Sequence, residues 1–483
     1  MTQANPSDAA MIPRPLLLLG LVVALVVPQA LLWNHTCDDA FISYRYLLNL
    51  RAGHGLVFNA GERVEGFSHP LWMALMLPAL VLPNSAAALV AWGKIVGLAC
   101  AAGTGWLMLR VLWRMGAPEF AVVAAVGLFL AAPGVHVHAT AGLETPLLGL
   151  LLIAALEREQ AGRAAWGTAV LLGLAALCRP EAALFGPLWG LWRIANFGWR
   201  GIPVLFMTWL AFPMSWQVFR LAYFGEWLPN PFYAKPPGTF GGMLGLAYLS
   251  PFILASLPPL VVLGHLSRPR RIGALAGLLT IPPVLLVVYT RGDWMPFGRF
   301  LIPVWALVCV QAARGLAVLP VAGIGVWLVA GAAVLTGALS LSREVPAYLR
   351  GDGLNEPMRG ANQLAGGDWL AQRMAPGESV AANRLGGISY RLMDHRVVDM
   401  LGLADKEIAR HLWRNGGNVA WATHPLASAK PDWIAIVNLR GNTEPIYGDA
   451  DLEADLRDNY SLEGELPQGP VQVWQFYRRR PTS

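Results

Sequence analysis

The chain of 483 residues is 55% hydrophobic and only 14% charged, with a mean hydropathy of +0.47. A soluble domain carries roughly a quarter charged residues, so the composition excludes a water-soluble enzyme, a disordered chain and a nucleic-acid-coating protein, and it defines a polytopic membrane protein. The net charge of +6 is read first as an orientation signal rather than as an anionic partner.

Acidic residues divide the chain: 18 of 30 fall in 344–483, and only 12 before Ser342. This predicts a membrane domain over 1–342 and a soluble α/β domain over 343–483. The first apolar run, Pro15 to Trp33, approaches the roughly 20 residues that a crossing needs and lacks a small-x-small cleavage site, so it reads as a retained span. Basic clusters at Arg110/Arg114, Arg158/Arg163, Arg193/Arg200, Arg268/Arg270/Arg271 and Arg314 recur once per pair of crossings. Placing them all in the cytoplasm predicts 11 spans, near 15–33, 88–112, 118–135, 142–157, 164–178, 181–194, 203–222, 243–265, 272–290, 299–315 and 317–341. The N-terminus then lies inside and the C-terminal domain outside. The short stretch 70–83 becomes interfacial or re-entrant.

With this parity, Asp38, Asp39, Glu62, Glu65, Glu144, Glu181, Glu226 and Asp293 all fall at outer span ends. Ionisable groups at membrane depth are costly and tend to mark function, so a site on that face is the first hypothesis. Its most informative segment is the loop 34–69. Asp38 and Asp39 follow the first span, and Ala40–Leu50 has the spacing of an amphipathic helix lying on the membrane surface, with Phe41, Tyr44, Leu47 and Leu48 on one side. The adjacent carboxylates suit proton abstraction or a shared divalent cation, and equally an N-cap role for that helix. Spacing does not choose between them.

The segment DDAFISYRYLLNLRAGHGLVFNAGERVEGFSHPLW resembles the GT-C superfamily of membrane glycosyltransferases, and specifically bacterial relatives of the mycobacterial terminal arabinofuranosyltransferases. AGLETPL (141–147), CRPEA (178–182), YFGEWLPNPFYAK (223–235), GDWMPFGRFLIP (292–303) and DHRVVDMLGLADKEIAR (394–410) carry the same resemblance. His69 departs from it, standing where such sequences more often have Asn. The resemblance implies a GT-C fold and an inverting transferase in a bacterial inner membrane. Its donor would be a sugar, such as arabinofuranose, on a polyprenyl phosphate, and its acceptor a cell-envelope glycan or glycoconjugate. Asp38 or Asp39 would take the proton of the acceptor hydroxyl. Lys235, Arg299 and Arg179 would neutralise the phosphate leaving group, although interfacial snorkelling is the plain alternative for such cations. Tyr44, Arg45, Glu65, His69, Glu144, Glu181, Asn230, Tyr233, Asp293 and Trp294 would line the sugar or acceptor site.

His136 and His138 lack a third ligand nearby and make a weak metal pair, and the four scattered cysteines suggest neither disulfides nor zinc. In the C-terminal domain WIAIVN (433–438) and VQVWQFY (471–477) read as strands and 360–374 as a helix, with an acceptor-binding or lid role expected by family analogy. Its 16 basic and 18 acidic residues disfavour nucleic acid. The competing reading is a transporter or flippase, which calls for polar residues at mid-span and inverted repeats. Lys94 is the only charge deep in an expected span, and no repeat is visible.

Overall fold

The computed structural model describes residues 13–236, 242–293, 295–319, 360–416, 430–439, 450–468 and 472–481, together with isolated positions between 331 and 346 and at 426 and 429. Sixteen helices precede residue 320 among them: α1 Arg14–Val26, α2 Gln29–Leu32, α3 Asp38–Arg51, α4 Pro70–Met76, α5 Ser85–Arg114, α6 Glu119–Ala131, α7 Pro133–Ala139, α8 Thr145–Gln160, α9 Ala165–Ala176, α10 Phe185–Phe197, α11 Ile202–Tyr223, α12 Asn230–Ala234, α13 Gly242–Ala255, α14 Pro258–Leu266, α15 Arg270–Thr290 and α16 Ile302–Ala317. Local sequence explains their starts. Proline occupies the first turn of α1, α4, α7, α8, α11, α12, α14 and α16, where its missing N–H costs nothing. Asn84 caps α5 by accepting the Ala87 N–H.

Ten of the eleven expected spans coincide with helices, and 317–341 lies almost wholly outside the described residues. Length and apolar composition, however, qualify only four among the described residues: Arg14–Leu32, Ser85–Arg114, Ile202–Tyr223 and Arg270–Thr290. The number rises to six if the bent pairs α6/α7 (59°) and α13/α14 (62°) each count as one crossing. Helices such as α9 and α16 are shorter than a bilayer. Hydropathy counts apolar residues but does not register the breaks that divide them into short helices. Pro70–Val81 is another short apolar helix, ending in a 3₁₀ turn over Leu77–Val81.

Helix α16 is the centre of the bundle, buried from Pro303 to Leu316. Where α14 crosses it, a Cβ on Gly264 would stand 1.9 Å from the Gln311 carbonyl oxygen, and one on Gly315 1.9 Å from that of Leu260. Only hydrogen fits, as is usual where membrane helices approach closely. By contrast, α11 buries only Trp209 and exposes Val204, Met207, Met214 and Val218.

The C-terminal residues form a mixed sheet in the order β2-β1-β3-β5-β4. Its strands are β1 Val380–Ala382, β2 Val397–Asp399, β3 Trp433–Leu439, β4 Tyr460–Pro467 and β5 Gln472–Arg479, joined by α17 Gly360–Ala371, α18 Gly386–Arg391, α19 Lys406–Arg414 and α20 Ala450–Asn459. The β2/β1/β3 part is parallel and β3/β5/β4 antiparallel, in register Ala381↔Val398, Ala381↔Ile434 and Ile436↔Gln475. Trp369 of α17 stacks on Phe476 of β5 at 4.1 Å.

The segment from Gly386 to Arg410 lies against the first loop, and this changes the reading of α3. Instead of resting one apolar face on a membrane surface, α3 is buried on both faces: Phe41, Tyr44 and Leu47 on one, Arg45 and Asn49 on the other. The polar face is tolerable inside because carbonyls from the first loop and the C-terminal segment meet it.

Candidate active site

The first turn of α3 carries Asp38 and Asp39, where the free N–H groups of a helix start favour negative charge. The two carboxylates have separate partners. Asp38 is 4% exposed, and its Oδ2 and Oδ1 accept the backbone N–H groups of Gly386 (3.0 Å) and Gly387 (2.7 Å). Burial pushes its carboxyl up to about 6 despite those bonds. A Cβ at position 386 would fall 1.8 Å from the Asp38 carbonyl oxygen, so the contact requires glycine. Asp38 is thereby committed to the protein itself.

Asp39 is the more open of the two. Its side chain is 22% exposed, and its Oδ2 lies 3.9 Å from Arg299 Nη1. Burial raises its carboxyl above the usual aspartate value, while Lys235 and then Arg299 draw it back. Lys235 directly follows α12, and Asp39 is the strongest opposite charge acting on it. Arg299, just before α16, is held by Asp293 through Nε–Oδ2 (2.8 Å) and Nη2–Oδ1 (3.1 Å). This two-point grip fixes the plane of the guanidinium and aims its remaining nitrogen at Asp39.

Around this core lies a second set. Arg179 bonds Glu144 at 3.0 Å and also Glu181. His69 places Nδ1 3.5 Å from Glu144 Oε2 and Nε2 2.8 Å from Ser43 Oγ. Arg179 and Arg299 both lie over the Phe300 ring, at 4.6 and 4.9 Å from its centre, and the Phe300 N–H donates to the Tyr248 hydroxyl (3.0 Å).

The structure thus brings together Asp39, Lys235, Arg299, Asp293, Arg179, Glu144, Glu181 and His69. It places the other expected residues elsewhere. Arg45 spends all five N–H groups on the carbonyls of Phe58, Ser389, Leu392 and His395 and on Asn59 Oδ1, leaving no donor for a ligand. Glu65 is held by Arg220 and by the Trp216 indole N–H (2.9 Å). Asn230 donates to the carbonyls of Gly402, Leu403 and Asp405. Tyr233 packs against Trp413 under the Arg410 guanidinium, and Tyr44 is fully buried beside Gly142. Trp294 lies outside the described residues.

Among the described residues no group of three or more His, Cys, Asp or Glu side chains could hold a metal ion. In the aspartate pair, Asp38 presents one oxygen to each of two N–H donors. His138 Nε2 lies 3.3 Å from the Pro296 carbonyl and His136 Nε2 2.8 Å from that of Leu130. Sequence reasoning missed Gly386, Gly387, Ser43 and Phe300. Only Ser43 carried a signal, being one helical turn beyond Asp39 and so on the same face.

The arrangement combines an accessible carboxylate of raised proton affinity with an ammonium and a guanidinium beside it. Such a group can accept a proton while its neighbours stabilise a developing anion.

Two solved structures share the fold over nearly the whole chain: ArnT from Cupriavidus metallidurans in the apo state (TM-score 0.57, 14% identity) and bound to undecaprenyl phosphate (0.53, 13%), each covering 96% of this chain and 98% of that one. The arabinofuranosyltransferase AftD from Mycobacteria matches 98% of this chain and 40% of its own length, with a TM-score of 0.51 and 15% identity. The fold is thus that of the GT-C membrane glycosyltransferases.

The sequence is similar to the terminal β-(1→2)-arabinofuranosyltransferases of Corynebacterium glutamicum and Mycobacterium tuberculosis. The first is 28% identical over 320 residues, 56% of this chain and 46% of that protein. The second is 32% identical over 234 residues, 44% and 37% respectively. The matches span less than half the length of these relatives. Residues 355–480 match the family model described as a domain of unknown function, DUF8728.

Proposed function

We propose that this chain is an inverting membrane glycosyltransferase that moves a sugar, a pentofuranose such as arabinofuranose, from a polyprenyl phosphate to a glycan or glycoconjugate of the cell envelope. The observation that carries the reading is the grouping of Asp39 with Lys235 and Arg299. Asp39 accepts the acceptor hydroxyl proton as that oxygen bonds to the anomeric carbon. The bond from that carbon to the phosphate oxygen breaks with its electron pair, and polyprenyl phosphate departs against Lys235 and Arg299. The transition state carries oxocarbenium character, which a nearby carboxylate also stabilises. Asp293 holds Arg299, and the linked set of Arg179, Glu144, Glu181 and His69 borders the sugar.

In this reading residues 1–342 form the membrane domain with the N-terminus in the cytoplasm of a bacterial inner membrane. Residues 343–483 form an extracytoplasmic domain, and the acceptor is met on that side. The likeness to arabinofuranosyltransferases, and to an ArnT structure holding undecaprenyl phosphate, supports the donor class. The transporter alternative loses its one mid-span charge, because Lys94 Nζ is 2.5 Å from both the Trp33 and His35 carbonyls and so ties α5 to the chain just after α2.

The test is to incubate purified protein with synthetic polyprenyl-phosphate pentofuranoses and a panel of glycan acceptors. Transfer by wild type and none by Asp39→Asn is expected. Equal transfer by both would overturn the assignment.

A further inference from the structure

We propose that the segment Gly386–Arg410 of the C-terminal unit is a positioning element for the transfer reaction, setting Asp39 and Lys235 in register from two separate loops. The inference rests on the transferase reading above and extends it to residues that touch no reacting atom.

The two groups come from distant parts of the chain: Asp39 from the first turn of α3, Lys235 from the loop after α11. Each loop is gripped by the same short segment. At one end, the Gly386 and Gly387 N–H groups donate to both oxygens of Asp38, the residue preceding Asp39, and Arg45, about two turns further along α3, is clasped by the carbonyls of Ser389, Leu392 and His395. Asn59 then pairs with Val397 in both directions, Nδ2 to its carbonyl at 3.0 Å and Oδ1 from its N–H at 3.1 Å, as a neighbouring strand would. At the other end, the turn after β2 presents the Gly402, Leu403 and Asp405 carbonyls to the Asn230 amide at 2.7–3.1 Å. Asn230 opens α12, the five-residue helix that Lys235 follows. Glu226 of the same loop pairs with Lys406 and Arg410 at 2.5 Å each.

The turn itself is stiffened from within. Asp399, 2% exposed, accepts the Leu401 and Ala404 N–H groups at 2.9 and 3.1 Å. One rigid piece of backbone therefore spans both grips, and the separation of Asp39 from Lys235 is inherited from it. This gives the segment DHRVVDMLGLADKEIAR a task that none of its side chains performs chemically. A displacement of about 1 Å at reacting groups can cost about a hundredfold in rate.

The experiment uses Asp38→Asn, Asn230→Ala and Asp399→Asn in the full chain. Each should lower kcat about 10- to 100-fold with KM for the polyprenyl-phosphate donor changed less than threefold, and none should deepen the defect of Asp39→Asn when combined with it. A purely structural role would lower the amount of folded protein and leave kcat per folded molecule unchanged. Hydrogen exchange supplies the second readout: Asn230→Ala, at the Lys235 end, should speed exchange of residues 386–392, at the Asp39 end. Folded variants with wild-type kcat, or unchanged exchange at 386–392 in Asn230→Ala, overturn the proposal. If wild type transfers from no donor, the transferase reading falls, and the exchange arm still decides whether the segment couples the two loops.

Discussion

The two ends of α8 hold two charge clusters built from the same residue types. At its start, Glu144 joins Arg179, His69, Glu181, Arg299, Asp293 and Asp39. In its last turn, about 20 Å further along, Glu157 faces Arg110 (3.0 Å), Arg114 and Arg163 (3.6 Å), and Glu159 takes Arg193 and the Trp189 indole N–H at 2.8 and 3.0 Å. The far cluster is closed: the Glu157 side chain is 3% exposed and enclosed by cations from α5 and the loop before α9. The near cluster keeps one carboxylate open, since Asp39 retains 22% exposure and meets its guanidinium only at 3.9 Å. A buried carboxylate saturated by arginines fastens helices, whereas one left partly open among cations can exchange a proton. The count of charges is similar; the difference lies in which of them are already committed.

That contrast is broken most directly at Asp39. Asp39→Asn should lower transfer at least a thousandfold, within the range expected for loss of a general base, and leave polyprenyl-phosphate binding near wild type. Single-turnover transfer and a lipid-binding assay measure the two halves. Loss of donor binding with residual chemistry would move Asp39 from base to binding group. Next in size, Arg299→Lys should cost roughly a hundredfold in kcat, because an ammonium cannot grip Asp293 at two points and still face Asp39. Recovery of full activity in that variant would mean that charge alone, without the fixed plane, is sufficient.

The far cluster gives the converse. Glu157→Gln should lower stability by about 1–2 kcal/mol, read as a lower thermal midpoint in micelles. The cost is moderate because Arg110, Arg114 and Arg163 are each more than a quarter exposed and can turn to solvent. Its kcat should match wild type. A large loss of activity with unchanged stability would show that the two ends of α8 are not separable.

Much of the near cluster was legible from sequence because its residues stand in loops between apolar runs, and such loops can be assigned to a face by charge parity. On that expectation Asp39, Glu144, Glu181 and Asp293 share one face, while Lys235, Arg299 and Arg179 stand in segments that carry the family resemblance. What could not be read was commitment. Asp38 and Asp39 are neighbours with identical chemistry, and only the approach of Gly386 and Gly387, nearly 350 residues away, distinguishes them. Arg45, Glu65 and Asn230 looked like ligand contacts because they are polar residues in motif-like segments, yet each is consumed by carbonyls or ion pairs that a one-dimensional reading cannot place. The amphipathic pattern of α3 was genuine. From sequence it reads as a surface helix because a polar helical face predicts water or headgroups, and here the segment around Ser389–His395 covers it instead. The breaks that divide 118–135 into α6 and α7 and 243–265 into α13 and α14 escape the sequence for a related reason, since hydropathy averages over them.

The smallest expected effect is the most specific to the near cluster. A general base works only when ionised, so kcat/KM should fall as pH drops through the value of Asp39, and burial places that acid limb above the ordinary aspartate range. Lys235 is the first of the cations that favour the ionised form, so Lys235→Met removes that support, raises the carboxyl further and should move the limb to higher pH. Asp293 is a like charge that opposes ionisation of Asp39, so Asp293→Asn should move the limb the other way, and it also frees Arg299 to approach Asp39. Opposite displacements of one limb by two substitutions of opposite charge are hard to produce through a general loss of packing. Profiles that move in the same direction in both variants, or not at all, would remove Asp39 as the titrating group and with it the distinction between the open and the closed cluster.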